Sequence, residues 1–396
     1  MGKYKHAVAS YEATFDLDPE RAWTIFSYAN NGRTHEQSMM AREILEKDAD
    51  IAQGWSVRSA ALLGLDWELV GGLPEHRAAI YRVLRNARPE MGSGLVDFRG
   101  LLSQLELSAM HGFTCAQIAW APGGASIEGF ECPPHAWFSV DTEKQVPYLQ
   151  SEGSDAKIYP ENGRWVFHRY GSAGSEIQRA GLVRPLGFLY SFKRLVLGSY
   201  LRYLEKFGMP VISANLPQRL DDVDNGERQR VARMLDLWSS DGSFIVPEDV
   251  KLTFLQPAQQ SGNQYQDALT FMQSQCWRLL LGQDATSSAA ASTNMTQAGL
   301  VRRDILIHDA QSIAETITSQ LCLPIIANTF GGAQIAKGYP RFKFKTDTAG
   351  DIQAAAASLQ MIGQAAASLG LELESENGVE LGGFRFKKSV KQEATL

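Results

Sequence analysis

Two histidine–cysteine pairs carry the side chains best suited to hold a metal ion. His111 and Cys115 form an H-x3-C step, and Cys132 and His135 form a C-x2-H step. Imidazole nitrogen and thiolate sulfur are the ligands of tetrahedral zinc, and zinc-bound water is a nucleophile near neutral pH. This group sets one functional expectation, a metal-dependent hydrolase built on His111, Cys115, Cys132 and His135. The local pattern favours packing over ligation. His111 and Cys115 span the end of a helix and the start of a strand, and Cys132 is followed by two prolines. A second group, Asp221, Asp222, Asp224 and Gly226, echoes a calcium loop but lacks its closing glutamate. Ser287, Ser288 and Ser292 lie in a small polar run with no histidine nearby in sequence. No Walker A, G-x-S-x-G or H-E-x-x-H pattern occurs. Nucleophile, base and orienting group do not occur together, so the residues alone point away from an enzyme.

The elements that would have to position these residues are legible in the periodicity. Residues 1–35 are polar and aperiodic and are expected to form an arm. Residues 36–62 read as one helix, 65–70 as a short strand, and 75–87 and 96–111 as helices, the last capped by Asp97 or Ser93. Strands are expected at 113–120 and 127–130, around the Pro-Gly-Gly turn at 122–124, and at 137–140, 148–150 and 165–170. The segment Gly181 to Pro210 is the most distinctive. At 100° per residue, Phe188, Phe192, Leu195, Val196, Leu197, Tyr200, Leu201, Tyr203 and Leu204 cover most of a helix circumference. Ser191, Arg194, Gly198, Arg202 and Glu205 share the remaining strip. A helix so widely apolar is expected to be buried on several sides. Its charged residues rule it out as a membrane span. A strand at 210–215, a helix at 225–239 and a strand pair at 242–246 and 250–255 follow as an α/β insert. A second long helix is expected at 263–281, then a polar loop, and a third long helix at 294–321 ended by Pro324. A strand at 342–344 and an alanine-rich helix at 351–369 close the pattern.

The 396 residues suffice for a large core or for two to four subdomains. A net charge of −6 argues against a general nucleic-acid coat and does not exclude a surface past which DNA slides without sticking. Four widely spaced cysteines do not make a disulfide framework. The first fifteen residues lack the apolar run of a signal peptide. The expectation is a soluble protein of the cytoplasm, with no membrane association and no cofactor.

Three stretches then resemble a known family. EKDADIAQGWSVRSAALLGLDWELV (46–70) carries an acidic helix followed by an R-x-x-A-x-x-x-L-x-W run. GLVRPLGFLYSFKRLVLGSYLRYLEKFGMPV (181–211) is a long helix with a sharp exit. DGSFIVPEDVKLTFLQP and YQDALTFMQSQCWRLLLGQ (241–257 and 265–283) are a strand pair feeding a second helix. Together these resemble the portal proteins of tailed phages, most closely those of Mu-like phages. The resemblance implies a mainly helical α+β portal fold with wing, stem, clip and a short or absent crown. It implies an arm at 1–35, a wing at 36–184, a first stem helix at 185–208 and a clip at 209–257. A second stem helix at 258–282, a tunnel loop at 283–293 and a long wing or crown helix with a C-terminal wing segment at 294–396 complete the set. The implied function is a ring, usually dodecameric, at one capsid vertex, through which double-stranded DNA is packaged and ejected. Implied partners are the terminase large subunit, the head–tail connector or adaptor and the major capsid protein. The implied location is the virion, with the host cytoplasm during assembly.

Site residues follow from that assignment. Gln283, Asp284, Thr286, Ser287, Ser288, Ser292 and Thr293 are expected in the tunnel loop, where small side chains leave room for a duplex. Arg194, Arg202, Gln266, Thr270 and Gln273 are candidates for the channel lining of the stem. Asp221, Asp222, Asp224, Glu248 and Asp249 are expected on the docking surface of the clip.

Overall fold

The computed structural model describes residues 17–150, 156–171, 175–207, 211–215, 251–255, 260–283, 295–346, 371–375 and 384–388, with isolated helical positions near 230 and 360. It separates into two units. The first holds residues 1–64 and 69–342, and the second holds 65–68 and 343–396.

The first unit begins with helix α1, Pro19–Asn30, started by Pro19 and by the Asp18 carboxylate, which accepts from the Arg21 amide. Ala22, Ile25, Phe26 and Ala29 are buried, and Ile25 and Phe26 share a core with Met40, Ile44, Ile51, Leu186 and Leu280. The expected arm at 1–35 is thus a core helix from residue 19 onward. Apolar positions three and four apart outweigh the polar average of the segment.

The expected helix at 36–62 is two helices, α2 at His35–Lys47 and α3 at Ala49–Leu63. Asp48 divides them. Its backbone is extended, and its carboxylate accepts from the amides of Asp50 and Ile51. The capping bond competes with helix continuation and wins at that residue. Strand β1 (Trp67–Val70) and helix α4 (Pro74–Asn86) follow as expected. The helix at 96–111 is likewise divided, into α5 (Phe98–Glu106) and α6 (Ser108–His111), with Asp97 as the cap of α5.

A three-stranded antiparallel sheet forms next, with β2 (Phe113–Trp120) between β3 (Ile127–Glu131) and β7 (Trp165–Arg169). A second one orders β4 (Phe138–Asp141), β5 (Val146–Gln150) and β6 (Lys157–Ile158). Phe113, Cys115, Phe138, Val140, Leu149 and Trp165 form their shared core.

Helix α7, Val183–Phe207, then leaves the core. Its backbone continues to β8 (Val211–Asn215), which pairs antiparallel with β9 (Lys251–Leu255). Helix α8 (Gln260–Leu281) returns, and α9 spans Met295–Ile317. The helical path does not stop at Pro324. A π-helical segment, Thr318–Cys322, joins α9 to α10 (Leu323–Phe330), and Pro324 sits in the first turn of α10. Proline is tolerated there because the first amides of a helix need no internal acceptor. Side chains of the π-helical segment bind strand edges. The Gln320 amide both donates to the Phe167 carbonyl and accepts from its N–H, each at 2.7 Å. Thr318 Oγ1 accepts from the Phe342 amide, at the start of β10 (Arg341–Phe344).

In the second unit, the Lys345 amide donates to the Asp66 carbonyl at 2.8 Å. There β11 (Leu371–Ser375) pairs antiparallel with β12 (Phe384–Lys388). Most of the expected helix at 351–369 lies outside the described residues.

Candidate functional site: the paired long helices and their attachment

Helix α7 has 25 residues and is ~37 Å long at 1.5 Å per residue. Its first turns are held in the core by buried Val183 and Leu186. Gly187 lies where a β-carbon would come within 2.9 Å of Met40 Cε, so the glycine lets α7 and α2 approach closely. Arg184 donates to the Phe26 carbonyl and to Asn30 Oδ1. Further out α7 runs beside α8, where the Tyr200 and Tyr203 rings each stand 5.7 Å from the Tyr265 ring.

Both helices are fastened to the break between α2 and α3. Lys193 Nζ donates to both Asp48 oxygens, at 2.9 and 2.8 Å, and to Asp50 at 2.5 Å. Burial alone would lower the Lys193 pKa, but the bonds to Asp48 and Asp50 hold it above its ordinary value. From α8, the Gln273 amide donates to Asp50 at 2.7 Å and the Trp277 indole donates to the Asp50 carbonyl at 3.3 Å. Asp48, Asp50, Lys193 and Gln273 therefore form one polar joint in an otherwise apolar setting.

The expected wet strip on α7 is only partly found. Ser191 is fully buried and donates to the Phe188 carbonyl. Arg194 and Arg202 are exposed and line a cavity of about 430 Å³ together with Leu17, Asp18 and Ser199. The apolar face is not covered within one chain. Phe192, Leu195, Leu197, Leu201 and Leu204 are all exposed, Leu201 at 52%. On α8, Phe271 is exposed as well. The helices project from the core, so a single chain has too little protein beside them to bury their flanks.

Among the candidate lining residues on α8, Gln266 and Thr270 are exposed. Gln266 donates to the Tyr200 hydroxyl, and Thr270 donates to the Gln266 carbonyl. Gln273 is half-buried, and its side-chain amide donates to Asp50. Helical spacing put Gln273 near Gln266 and Thr270, and it could not show that a carboxylate waits on α3. Gln283 follows the end of α8 and is half-buried. Asp284, Thr286, Ser287, Ser288, Ser292 and Thr293 lie outside the described residues, as do Asp221, Asp222, Asp224, Glu248 and Asp249.

Two glycines shape the crossing below residue 284. A β-carbon on Gly54 of α3 would come within 2.8 Å of Leu280 Cδ1. Gly282 has φ of +74°, and a β-carbon there would come within 2.6 Å of Val301 on α9. Arg58, one turn beyond Gly54, reaches across the same crossing. It is 6% exposed and pairs with Asp309 at 2.8 Å. Beside it Glu106 accepts from the Ser59 hydroxyl at 2.7 Å. Burial pushes the Glu106 carboxyl up to about 7, with the Asp309 charge adding to the rise and the Ser59 bond and Arg58 opposing it. Sequence reasoning assigned no role to Arg58, Asp48, Asp50 or Lys193. The available signal was a charge inside an apolar helical run, as in VRSAALL (57–63).

The histidine–cysteine group resolves differently from the zinc expectation. His111 and His135 do meet, as parallel stacked rings with centroids 3.8 Å apart. Stacking turns their ring edges side by side and does not converge four ligands on one point. Cys115 is buried in β2, and burial pushes its thiol well above the usual range, while Cys132 is raised to about 12. Burial thus favours the protonated thiol at both positions. Burial also lowers His135 and His168 to about 4 and, with the neighbouring His135, holds His111 well below its ordinary value. Among the described residues, no group of three or more His, Cys, Asp or Glu side chains is arranged to hold a metal ion. No helix among them is long and apolar enough to cross a membrane.

Comparison with known proteins agrees with the architecture. The family model described as "Portal protein of Mu bacteriophage" matches residues 38–375. The Mu-like prophage FluMu protein gp29 of Haemophilus influenzae is 24% identical over 364 residues, covering 87% of this chain and 67% of that protein. The portal protein of Escherichia phage Mu is 21% identical over 347 residues, covering 85% of this chain and 66% of that one. The chain thus spans about two thirds of the length of these relatives. A chain from the neck of an empty gene transfer agent particle superposes with a TM-score of 0.55 at 9% identity, over 82% of this chain and 90% of that one. That likeness shows the fold, a mainly helical α+β portal architecture. The metal-hydrolase alternative receives no support from any of these comparisons.

Proposed function

The chain belongs to the family of Mu bacteriophage portal proteins, and on that premise we propose that its copies close into a ring around a channel for double-stranded DNA. The observation that carries this reading is the set of exposed apolar side chains on α7, Phe192 and Leu195 on one flank and Leu197, Leu201 and Leu204 on the opposite flank. Exposed apolar side chains on both flanks of a projecting helix call for protein on both sides. Covering each half-exposed leucine contributes about 1 kcal/mol per side chain. A second copy supplies that cover when neighbouring stems pack side by side around an axis, and a closed ring leaves no stem face unpaired.

In this reading the ring, dodecameric by family resemblance, sits at one capsid vertex and contacts the major capsid protein. The terminase large subunit docks on the clip during packaging, and the head–tail connector replaces it afterwards. Residues 209–257 form the clip, with Asp221, Asp222, Asp224, Glu248 and Asp249 as its acidic docking surface. Gln283, Asp284, Thr286, Ser287, Ser288, Ser292 and Thr293 form the tunnel loop, and Arg194, Arg202, Gln266 and Thr270 are the stem residues nearest the lumen. The channel has a structural task and needs no catalytic group. Each neutralised phosphate adds affinity and slows sliding, so a channel is served by few basic side chains and an acidic total.

Electron microscopy of the purified protein tests the proposal. Annular particles with a central hole are the expected result. A monomeric mass by light scattering across several salt and protein concentrations, with no annular particles, overturns it.

A further inference from the structure

We infer that Arg58 is a positioning residue for DNA transit, because one guanidinium fastens both helices that bracket residues 284–294. This inference rests on the channel reading above. Arg58 points from α3 into a site where three other elements meet. Its Nε donates to Asp309 Oδ2 on α9 at 2.9 Å. Its Nη1 donates to the carbonyl of Leu280, one residue before the end of α8, at 3.2 Å. Its Nη2 donates to the hydroxyl of Tyr170, just beyond β7, at 3.1 Å, with the Arg58 guanidinium carbon 5.9 Å from the ring centre. All three nitrogens are engaged, with Nη2 also 2.8 Å from Asp309 Oδ2, so the guanidinium joins three elements to α3.

The geometry specifies arginine. A rigid planar fork reaches three acceptors at fixed angles, which a single ammonium on a flexible stem does not. The Leu280 carbonyl is one of the last four of α8 and has no partner within that helix. Arg58 satisfies it from outside the helix and so ties the end of α8 to α9 through Asp309. The surrounding packing supports the same spacing. Gly54 admits Leu280 against α3, and Gly282 admits Val301 and Ile305 against the end of α8. The arginine of the R-x-x-A-x-x-x-L-x-W run thereby gains a physical role. It sets the separation from which the chain between residues 283 and 295 departs and returns.

Stability alone would not need this arrangement. Replacing a buried ion pair by apolar residues of similar volume is often neutral or stabilising. That difference makes the inference testable with the double variant Arg58→Met, Asp309→Leu in the full-length protein. Spin labels are placed at Arg278→Cys on α8 and Asp304→Cys on α9, both exposed, in a Cys132→Ser background. Cys115, Cys276 and Cys322 are buried with raised thiol pKa values and do not compete for label. Labelled chains are diluted into rings with unlabelled ones.

The expected result is a melting temperature near that of wild type and intact rings. The label distance distribution shifts or broadens by about 1 Å or more, and particles carrying the variant lose packaged DNA. A wild-type distance distribution, or wild-type packaging in the double variant, overturns the inference. If the double variant does not fold, Arg58→Lys serves in its place. It keeps the charge beside Asp309 and loses the fork, so a broadened distribution supports the inference and a wild-type one overturns it. The distance is measured within one chain. Absence of rings from wild-type protein would therefore defeat the channel reading without deciding the role of Arg58 in spacing the helices.

Discussion

Replacing Glu106 by glutamine should remove a pH-dependent loss of stability that is readable as a difference from wild type. Glu106 is 3% exposed. Its Oε2 accepts from Ser59, while Oε1 is buried without a hydrogen-bond partner. The carboxyl is raised from 4.5 to about 7 in the folded chain, chiefly by burial. The fold therefore prefers the protonated acid. The stability associated with that proton is fully present below about pH 4.5 and is lost as pH rises through about 7. At 1.36 kcal/mol per tenfold, the interval amounts to about 3 kcal/mol. Glutamine keeps the shape and the acceptor for Ser59 and never ionises. The buried histidines act in the opposite direction. His135 and His168 are lowered to about 4, so their contribution is present above the ordinary histidine value and is lost as pH falls toward 4. They are common to both proteins and cancel in the difference. Urea denaturation of wild type and Glu106→Gln, from about pH 4.5 to about pH 8, gives the difference directly. The variant should gain about 3 kcal/mol relative to wild type across that range. A difference that stays flat with pH would refute the reasoning.

Three further outcomes are expected. Lys193→Ala leaves Asp48 and Asp50 facing each other without their cation and should cost about 3–5 kcal/mol. Chemical denaturation checks this, and a loss below about 1 kcal/mol would show that the joint is solvated. Gly282→Ala combines a left-handed backbone with a clash against Val301 and should cost about 2 kcal/mol, measured as a lowered melting temperature. Leu201→Asp on the exposed face of α7 should leave monomer stability within about 0.5 kcal/mol while abolishing ring formation in light scattering and electron microscopy. Rings formed by that variant would show that this face is not the contact between copies.

The elements of this chain were largely legible because short-range rules govern them. The period of 3.6 in 183–207 and 263–281, the period of 2 in 113–120 and the glycine turns all act within a few residues. The motif-bearing stretches also pointed to the family before any coordinates. Interruptions were harder to see. Asp48 splits one apparent helix because its carboxylate finds two amides ahead of it, and Pro324, which by itself suggested a stop, is accommodated in the first turn of α10 after a π-helical segment. The arm at residues 19–30 became core because four small or apolar side chains on one face outweigh a polar average.

The site itself was decided by tertiary structure. An apolar face on α7 was readable, but whether one chain covers it depends on how far the helix projects from its core. His111 and His135 are brought together as a stack, which their spacing resembled but which ligation geometry does not accept. Gln273 donates to Asp50, more than two hundred residues earlier in the chain. Arg58 finds Leu280, Asp309 and Tyr170 across sequence separations of 222, 251 and 112 residues. Local propensity cannot encode such meetings, because each partner is polar, buried and meaningful only once the other elements have packed around it.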